Sequence, residues 1–173
     1  MSTRVAGLPT PCLLVERNKL QANIDRMNDR ANELGVALRP HVKTHKSVEI
    51  AAMIGADTIT VSTLQEAEYF AAAGYTDILY AVSIVPAKMD QVLALNARDV
   101  NVQVLLDMVQ TAADVAEAAA AHGETIDVWI EIDVDGHRAG LEPDDPQLLE
   151  IGRYLQQAPY THLAGVLTHA GES

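Results

Sequence analysis

At 173 residues, of which 49% are hydrophobic, the chain is long enough for one domain with a real core and too apolar to remain disordered. Its 24 acidic residues against 12 basic ones leave a formal charge of −12, which argues against a nucleic-acid partner, because phosphates need a basic surface. No apolar run reaches the length of a membrane span, the N-terminus lacks a signal-peptide core, and Cys12 has no second cysteine to pair with, so the expectation is a cytoplasmic protein without membrane association.

Residues 10–15 form a short extended run, and Arg17–Leu34 carries Leu20, Ile24, Met27 and Ala31 at helical spacing before Gly35 ends the helix. Residues 36–43 alternate as a strand, with Arg39, His41 and Lys43 on one face and Leu38, Pro40 and Val42 on the other. Ser47 can cap a helix reaching about residue 54, with Glu49 in its first turn. Residues 58–62 read as a strand. They are followed by a helix over 63–73 that Ser62 or Thr63 caps and to which Gln65 or Glu66 reaches back. The alternation continues with a strand over Asp77–Ser83, a helix over 87–95, a strand over Asn101–Leu106 and an Ala-rich helix over Val109–His122 stopped by Gly123. A strand over 126–134, a helix over 146–157 and a strand over 163–168 complete it.

Short strands alternating with longer helices imply β-α-β units and a parallel sheet. The first unit has no Gly-x-Gly-x-x-Gly turn, so an open dinucleotide-binding sheet has no support, and the expected class is α/β, an incomplete (β/α)8 TIM-type barrel with about six βα units present. Strand parity puts Arg39, Thr60, Gln103 and Glu131 on the barrel-interior face, and Val42, Ile59, Val61, Val102, Val104, Ile130 and Ile132 on the face toward the helices. Interior charges must pair, and Arg39 with Glu131 is the pairing that parity suggests.

The densest chemistry lies between residues 38 and 47, where Arg39, His41, Lys43, His45 and Lys46 end an apolar run. Lys and Arg are rarely buried without partners, so this face should line a site; the competing reading is a solvated loop. His41 and His45 stand four apart, a metal-binding spacing only on a helix, which Pro40 and the strand pattern disfavour, so no metal site is assigned.

The run Arg39-Pro40-His41-Val42-Lys43-Thr44-His45-Lys46 resembles the lysine motif of the D-threonine aldolase and D-serine dehydratase group. That group belongs to the alanine racemase N-terminal-type (fold type III) barrels that carry pyridoxal 5'-phosphate (PLP). The resemblance implies that Lys43, ending the first barrel strand, forms the Schiff base with the cofactor, and that Lys46 does not. Asp133-Val134-Asp135-Gly136-His137-Arg138-Ala139-Gly140 resembles the family's Asp-x-Gly-x-x-Arg-x-Gly turn, with Gly136 one place later than usual; it implies that Arg138 contacts the cofactor's ring oxygen. Thr168-His169-Ala170-Gly171 resembles the strand-end histidine motif, implying that His169 packs against the pyridine ring. Read alone, these two would be a Gly-bounded surface turn and a histidine that merely ends a strand. Lys43, Arg138 and His169 all fall at C-terminal strand ends, where barrel enzymes build their sites. The stretch Val61-Ser62-Thr63-Leu64-Gln65-Glu66-Ala67 is similar to a family turn as well, but helix capping accounts for it.

The resemblance implies a PLP-dependent enzyme acting on D-amino acids that carry a β-hydroxyl, either a D-threonine aldolase (a lyase) or a D-serine dehydratase-like enzyme. An amino acid racemase and a non-catalytic PLP carrier of the same barrel type remain alternatives, and a metal-dependent barrel hydrolase using His41, His45 and His169 is a third class. Residues 1–173 would be the N-terminal portion of the barrel domain. The rest of the barrel, the phosphate site, any divalent-metal ligands and a C-terminal β domain would lie beyond residue 173, in a parent that could form a homodimer. Activity is expected of that parent and not of this piece alone.

Overall fold

The computed structural model describes residues 7–171, which divide into two compact units with the boundary between Leu38 and Arg39. The first unit contains helix α1 (Arg17–Leu34), whose bounds match the sequence expectation. Gly35 ends it in the left-handed conformation at φ 65°, its amide donating to the carbonyls of Ala31 and Asn32. Ile24 and Ala31 are buried while Met27 is 55% exposed, so the apolar stripe is narrower than its spacing suggested. The run over 10–15 is not a strand: it has no ladder partner among the described residues, and Pro11 has no N–H to offer one.

The second unit begins with α2 (Val48–Ile54) and continues as β1 (Thr58–Val61), α3 (Leu64–Ala71), β2 (Asp77–Ser83), α4 (Met89–Asn96), β3 (Asn101–Leu106), α5 (Val109–His122), β4 (Ile126–Ile132), α6 (Gln147–Gln157) and β5 (Thr161–Thr168). All five strands are parallel, and their order in the sheet is their order in the chain. Sequential order without reversal is the arrangement of a barrel wall, whereas a doubly wound sheet reverses direction at a switch point. The arc is not closed.

Ile59, Val61, Ile78, Tyr80, Val102, Val104, Leu106, Ile126, Val128 and Ile130 all turn to the helix side and are buried. There they meet Phe70, Val92, Val115, Ala119, Ile151 and Leu155 from the helices. Each large side chain so buried contributes about 1.5–3 kcal/mol relative to exposure. The Ala-rich composition of α5 places Ala112 and Ala119 against this layer, where small side chains let helix and sheet approach closely.

The opposite face carries Thr60, Gln103 and Glu131, all buried, as parity predicts. The predicted Arg39–Glu131 pair does not form. Arg39 donates instead to Asp77 Oδ1 at 2.7 Å; Gln103 Nε2 donates to the same oxygen at 2.8 Å, and Trp129 Nε1 donates to Gln103 Oε1 at 2.7 Å. Asp77 opens β2, at the same level of the sheet as Thr58 and Asn101, whereas Glu131 sits near the far end of β4. Parity sets the face, but height along the strand chooses the partner.

The first expected barrel strand, residues 36–43, is reduced to one parallel bridge between His41 and Thr60, with the Thr60 amide donating to Pro40 O at 2.9 Å. Pro40 cannot donate to a ladder, and Val42–Thr44 closes into a 3-10 turn whose first residue, Val42, is fully buried.

Candidate active site

Lys43 lies in that turn, directly after the bridge to β1. Burial of Val42 anchors the turn from below, while the Lys43 side chain is exposed. Among the described residues no carboxylate pairs with its amine. The ring of His41 caps the turn: Nδ1 accepts from the Lys43 amide at 3.4 Å, and Nε2 lies 3.2 Å from Ser62 Oγ at the exit of β1.

Ser62 is held by α3. The Thr63 hydroxyl accepts from the Glu66 amide at 3.0 Å, and Glu66 Oε2 accepts from the Ser62 and Thr63 amides at 2.8 and 3.3 Å, the reciprocal capping box expected from Ser62-Thr63-Leu64-Gln65-Glu66. Glu66 is only 7% exposed and also meets Lys46 Nζ at 2.9 Å. Burial pushes its carboxyl up, but the Lys46 ammonium and the two amides outweigh that and hold it below the usual carboxylate range. Lys46 is thus tied to a helix cap and adopts φ 47° in doing so.

The loop leaving β4 brings in Arg138. Asp133 Oδ1 accepts from the amides of Asp135 and Gly136 at 3.0 and 2.9 Å, and Oδ2 from the Arg138 amide at 3.2 Å. The loop is fastened back onto its strand by Leu141, whose amide donates to Glu131 O at 3.0 Å and whose carbonyl accepts from the Asp133 amide at 2.9 Å. Gly140 makes this return possible: at φ 111° its position leaves no room for a Cβ, which would stand 2.7 Å from Asp133 N. Beneath the loop, Glu131 accepts from Ser83 Oγ at 3.3 Å; burial and then Asp107 push its carboxyl up, against the pull of Ser83 and Arg138.

His169 follows β5. The strand's bulge pairs Trp129 with Gly165, whose absent side chain admits the indole ring: a Cβ there would lie 3.0 Å from Trp129 Cζ3. Beyond it, the Gly171 amide donates to Asp135 Oδ2 at 2.9 Å, tying the exit of β5 to the Arg138 loop.

The three predicted residues therefore sit on one mouth of the arc, at the strand exits. Lys43 and His169 lie close enough to His41 for both charges to disfavour its protonation, and Arg138 acts on Glu131. Sequence reasoning placed His41 on the face lining the site without giving it a part beside Lys43, and did not assign Ser62, Ser83, Asp107 or Asp135 to the site. The signal available for them was position, since each stands at or just beyond a strand end. His45 does not converge with His41: its Nδ1 accepts from the Ser47 amide at 3.1 Å and its ring meets Phe70 edge-on. No three His, Cys, Asp or Glu side chains among the described residues form a metal-holding group, and no described helix is long and apolar enough to cross a membrane.

A parallel barrel wall with a lysine-bearing turn, an arginine loop and a histidine around one C-terminal mouth is the wall of an α/β barrel domain. The chain belongs to the alanine racemase N-terminal domain family, whose model matches residues 15–173. D-threo-3-hydroxyaspartate dehydratase of Delftia sp. (strain HT23) is 49% identical over 100% of this chain and 46% of its own length. D-threonine aldolase of Arthrobacter sp is 34% identical over 96% of this chain and 45% of its own length. The solved structure of the Delftia sp. HT23 dehydratase matches with a TM-score of 0.92 at 50% identity, over 95% of this chain and 44% of that one. The chain thus spans about half the length of the curated relatives it matches.

Proposed function

We propose that residues 1–173 form the N-terminal portion of a PLP-binding barrel in a lyase that acts on D-amino acids bearing a β-hydroxyl group. The observation that carries the reading is Lys43: an amine without a carboxylate partner among the described residues, on a turn anchored by a fully buried valine, at the mouth where the strand exits meet. The donor set fits the cofactor, since an amine, a guanidinium and an imidazole face one mouth and can hold an aldehyde, a ring oxygen and an aromatic ring. PLP, when bound, supplies an electron sink for charge developing at the substrate's Cα.

In this reading Lys43 binds the cofactor through its amine, Arg138 donates to the ring oxygen and His169 supports the ring. Asp133 keeps Arg138 in place through the loop amides. The buried Glu131 lies below that loop, its carboxyl pushed up by burial and then by Asp107.

Dehydration is favoured over aldol cleavage by the 49% identity to a hydroxyaspartate dehydratase against 34% to a D-threonine aldolase, and it makes D-threo-3-hydroxyaspartate the first substrate to offer. The same reading places the enzyme in the cytoplasm as a homodimer, with a divalent metal held by residues outside this chain.

The test uses the full-length enzyme, incubated with D-threo-3-hydroxyaspartate, D-threonine, D-serine and D-alanine. A 2-oxo acid with ammonia marks dehydration, glycine with an aldehyde marks aldol cleavage, and the L-enantiomer marks racemisation. Bound PLP with no turnover of any of them points to the carrier. Borohydride reduction and peptide mapping are expected to fix the cofactor on Lys43. Lys43→Ala should abolish both the bound-cofactor absorbance and turnover, while Lys46→Ala keeps the absorbance. A pyridoxyl group found on Lys46, or on no lysine, overturns the assignment.

A further inference from the structure

The lysine motif and the cap of α3 are closed into one ring of contacts that the proposed chemistry does not use. It runs from the Lys43 amide to His41 Nδ1, from His41 Nε2 to Ser62 Oγ, from the Ser62 amide to Glu66 Oε2, and from Glu66 Oε1 to Lys46 Nζ. Two sequence segments some twenty residues apart thus hold each other on either side of Lys43. A neutral imidazole that accepts at Nδ1 carries its proton on Nε2, so His41 donates to Ser62 Oγ. An imidazolium has N–H on both nitrogens and cannot accept from the Lys43 amide.

We propose that His41, fixed by Ser62, is a positioning residue for Lys43: the neutral ring locks the turn that presents the lysine to the mouth, and protonation of Nδ1 unlocks it. The inference rests on Lys43 being the cofactor lysine. The charged and titratable groups that face the ring are Lys43 on its own turn, Glu66 from α3 and His169 beyond β5. Burial, and next the Lys43 charge, disfavour the imidazolium; Glu66 and a hydrogen bond with the Thr60 backbone pull the other way, and His169 adds to the first effect, so His41 titrates below its ordinary value.

The sign follows. Above the ordinary value of about 6.5 the ring is neutral whether the turn is formed or not, and protonation works against nothing. As pH falls from there through the lowered folded value, the unlocked state binds more protons and the formed turn loses stability. Cofactor retention should therefore fail on the acid side.

The experiment uses the full-length holoenzyme with PLP and follows bound-cofactor absorbance against pH, the rate of cofactor release at neutral pH, and borohydride trapping on Lys43. His41→Asn keeps an acceptor near the Nδ1 position for the Lys43 amide but cannot reach Ser62 or titrate. Ser62→Ala leaves the ring without its anchor. Both variants should release cofactor roughly 3–10-fold faster, the loss of one hydrogen bond, and His41→Asn alone should erase the acid limb that the wild type shows. If both variants release PLP at the wild-type rate and keep that limb while borohydride still traps PLP on Lys43, the inference is overturned and the cofactor assignment stands. If wild-type trapping misses Lys43, the cofactor assignment falls and takes the inference with it.

Discussion

Glu66 joins a helix cap to the lysine motif through a single carboxylate. As the last residue of the capping box it satisfies the amides of Ser62 and Thr63, and as an ion-pair partner it holds Lys46, which would otherwise be a second free amine near the mouth. The first role was legible from Ser62-Thr63-Leu64-Gln65-Glu66, because capping is local in sequence. The second was not, because nothing local brings residue 46 to residue 66. Glu66→Ala should cost about 1–2 kcal/mol of stability, the usual loss for a helix N-terminal cap, read as a shift in the urea midpoint. The carboxyl is held below its ordinary value, so its contribution is fully present above about pH 4.3 and fades as pH falls through the folded value. A wild-type midpoint no more acid-sensitive than that of Glu66→Gln between pH 5 and about 3 would contradict this account.

At the scale of elements, the α-helices and the middle strands were legible and the edges of the site were not. The bounds of α1, β2, β3 and α5 match the sequence reading because each has a full period of apolar residues closed by a glycine, a charge or a turn. Where chemistry interrupts the period, the reading overran. β4 stops at Ile132 instead of 134 because Asp133 turns the chain with its own carboxylate, and the strand over 36–43 gives way to a turn where His41 caps Val42–Thr44. The Arg138 loop should be the least forgiving of these edges. In Gly140→Ala the new Cβ meets the backbone of Asp133 and Ile132 at 2.7 and 2.8 Å at a φ of 111°, so the loop must leave its strand. We expect a loss of about 1–3 kcal/mol from the strained backbone, more if the loop cannot shift, together with weakened PLP binding by the full-length enzyme. Thermal denaturation and a PLP titration measure the two separately. Gly136→Ala, with open space around its Cβ, should pay only for its φ of 73°.

For the barrel unit as a whole, the question is how an open arc of parallel strands tolerates a polar inner face. The answer is a chain of donors and acceptors across the sheet, from Arg39 through Asp77 and Gln103 to Trp129. Parity made that face legible, and the same parity led to the wrong partner for Arg39, since a list of inward residues carries no information on height along the strand. Gln103 is the hinge of the chain, 5% exposed, donating to Asp77 and accepting from Trp129. Gln103→Leu is close in volume but leaves the Trp129 N–H without an acceptor, and should cost about 1–3 kcal/mol in a urea melt. Gln103→Glu keeps an acceptor for Trp129 and sets a second carboxylate against Asp77, so its penalty depends on protonation. The new carboxyl titrates above its ordinary value of about 4.3: the variant is destabilised at neutral pH, and the penalty is relieved as pH falls through that raised value. Equal midpoint differences from wild type at pH 7 and pH 5 would mean that Arg39 neutralises both carboxylates at once, and the column would then be an ion-pair site instead of a hydrogen-bond relay.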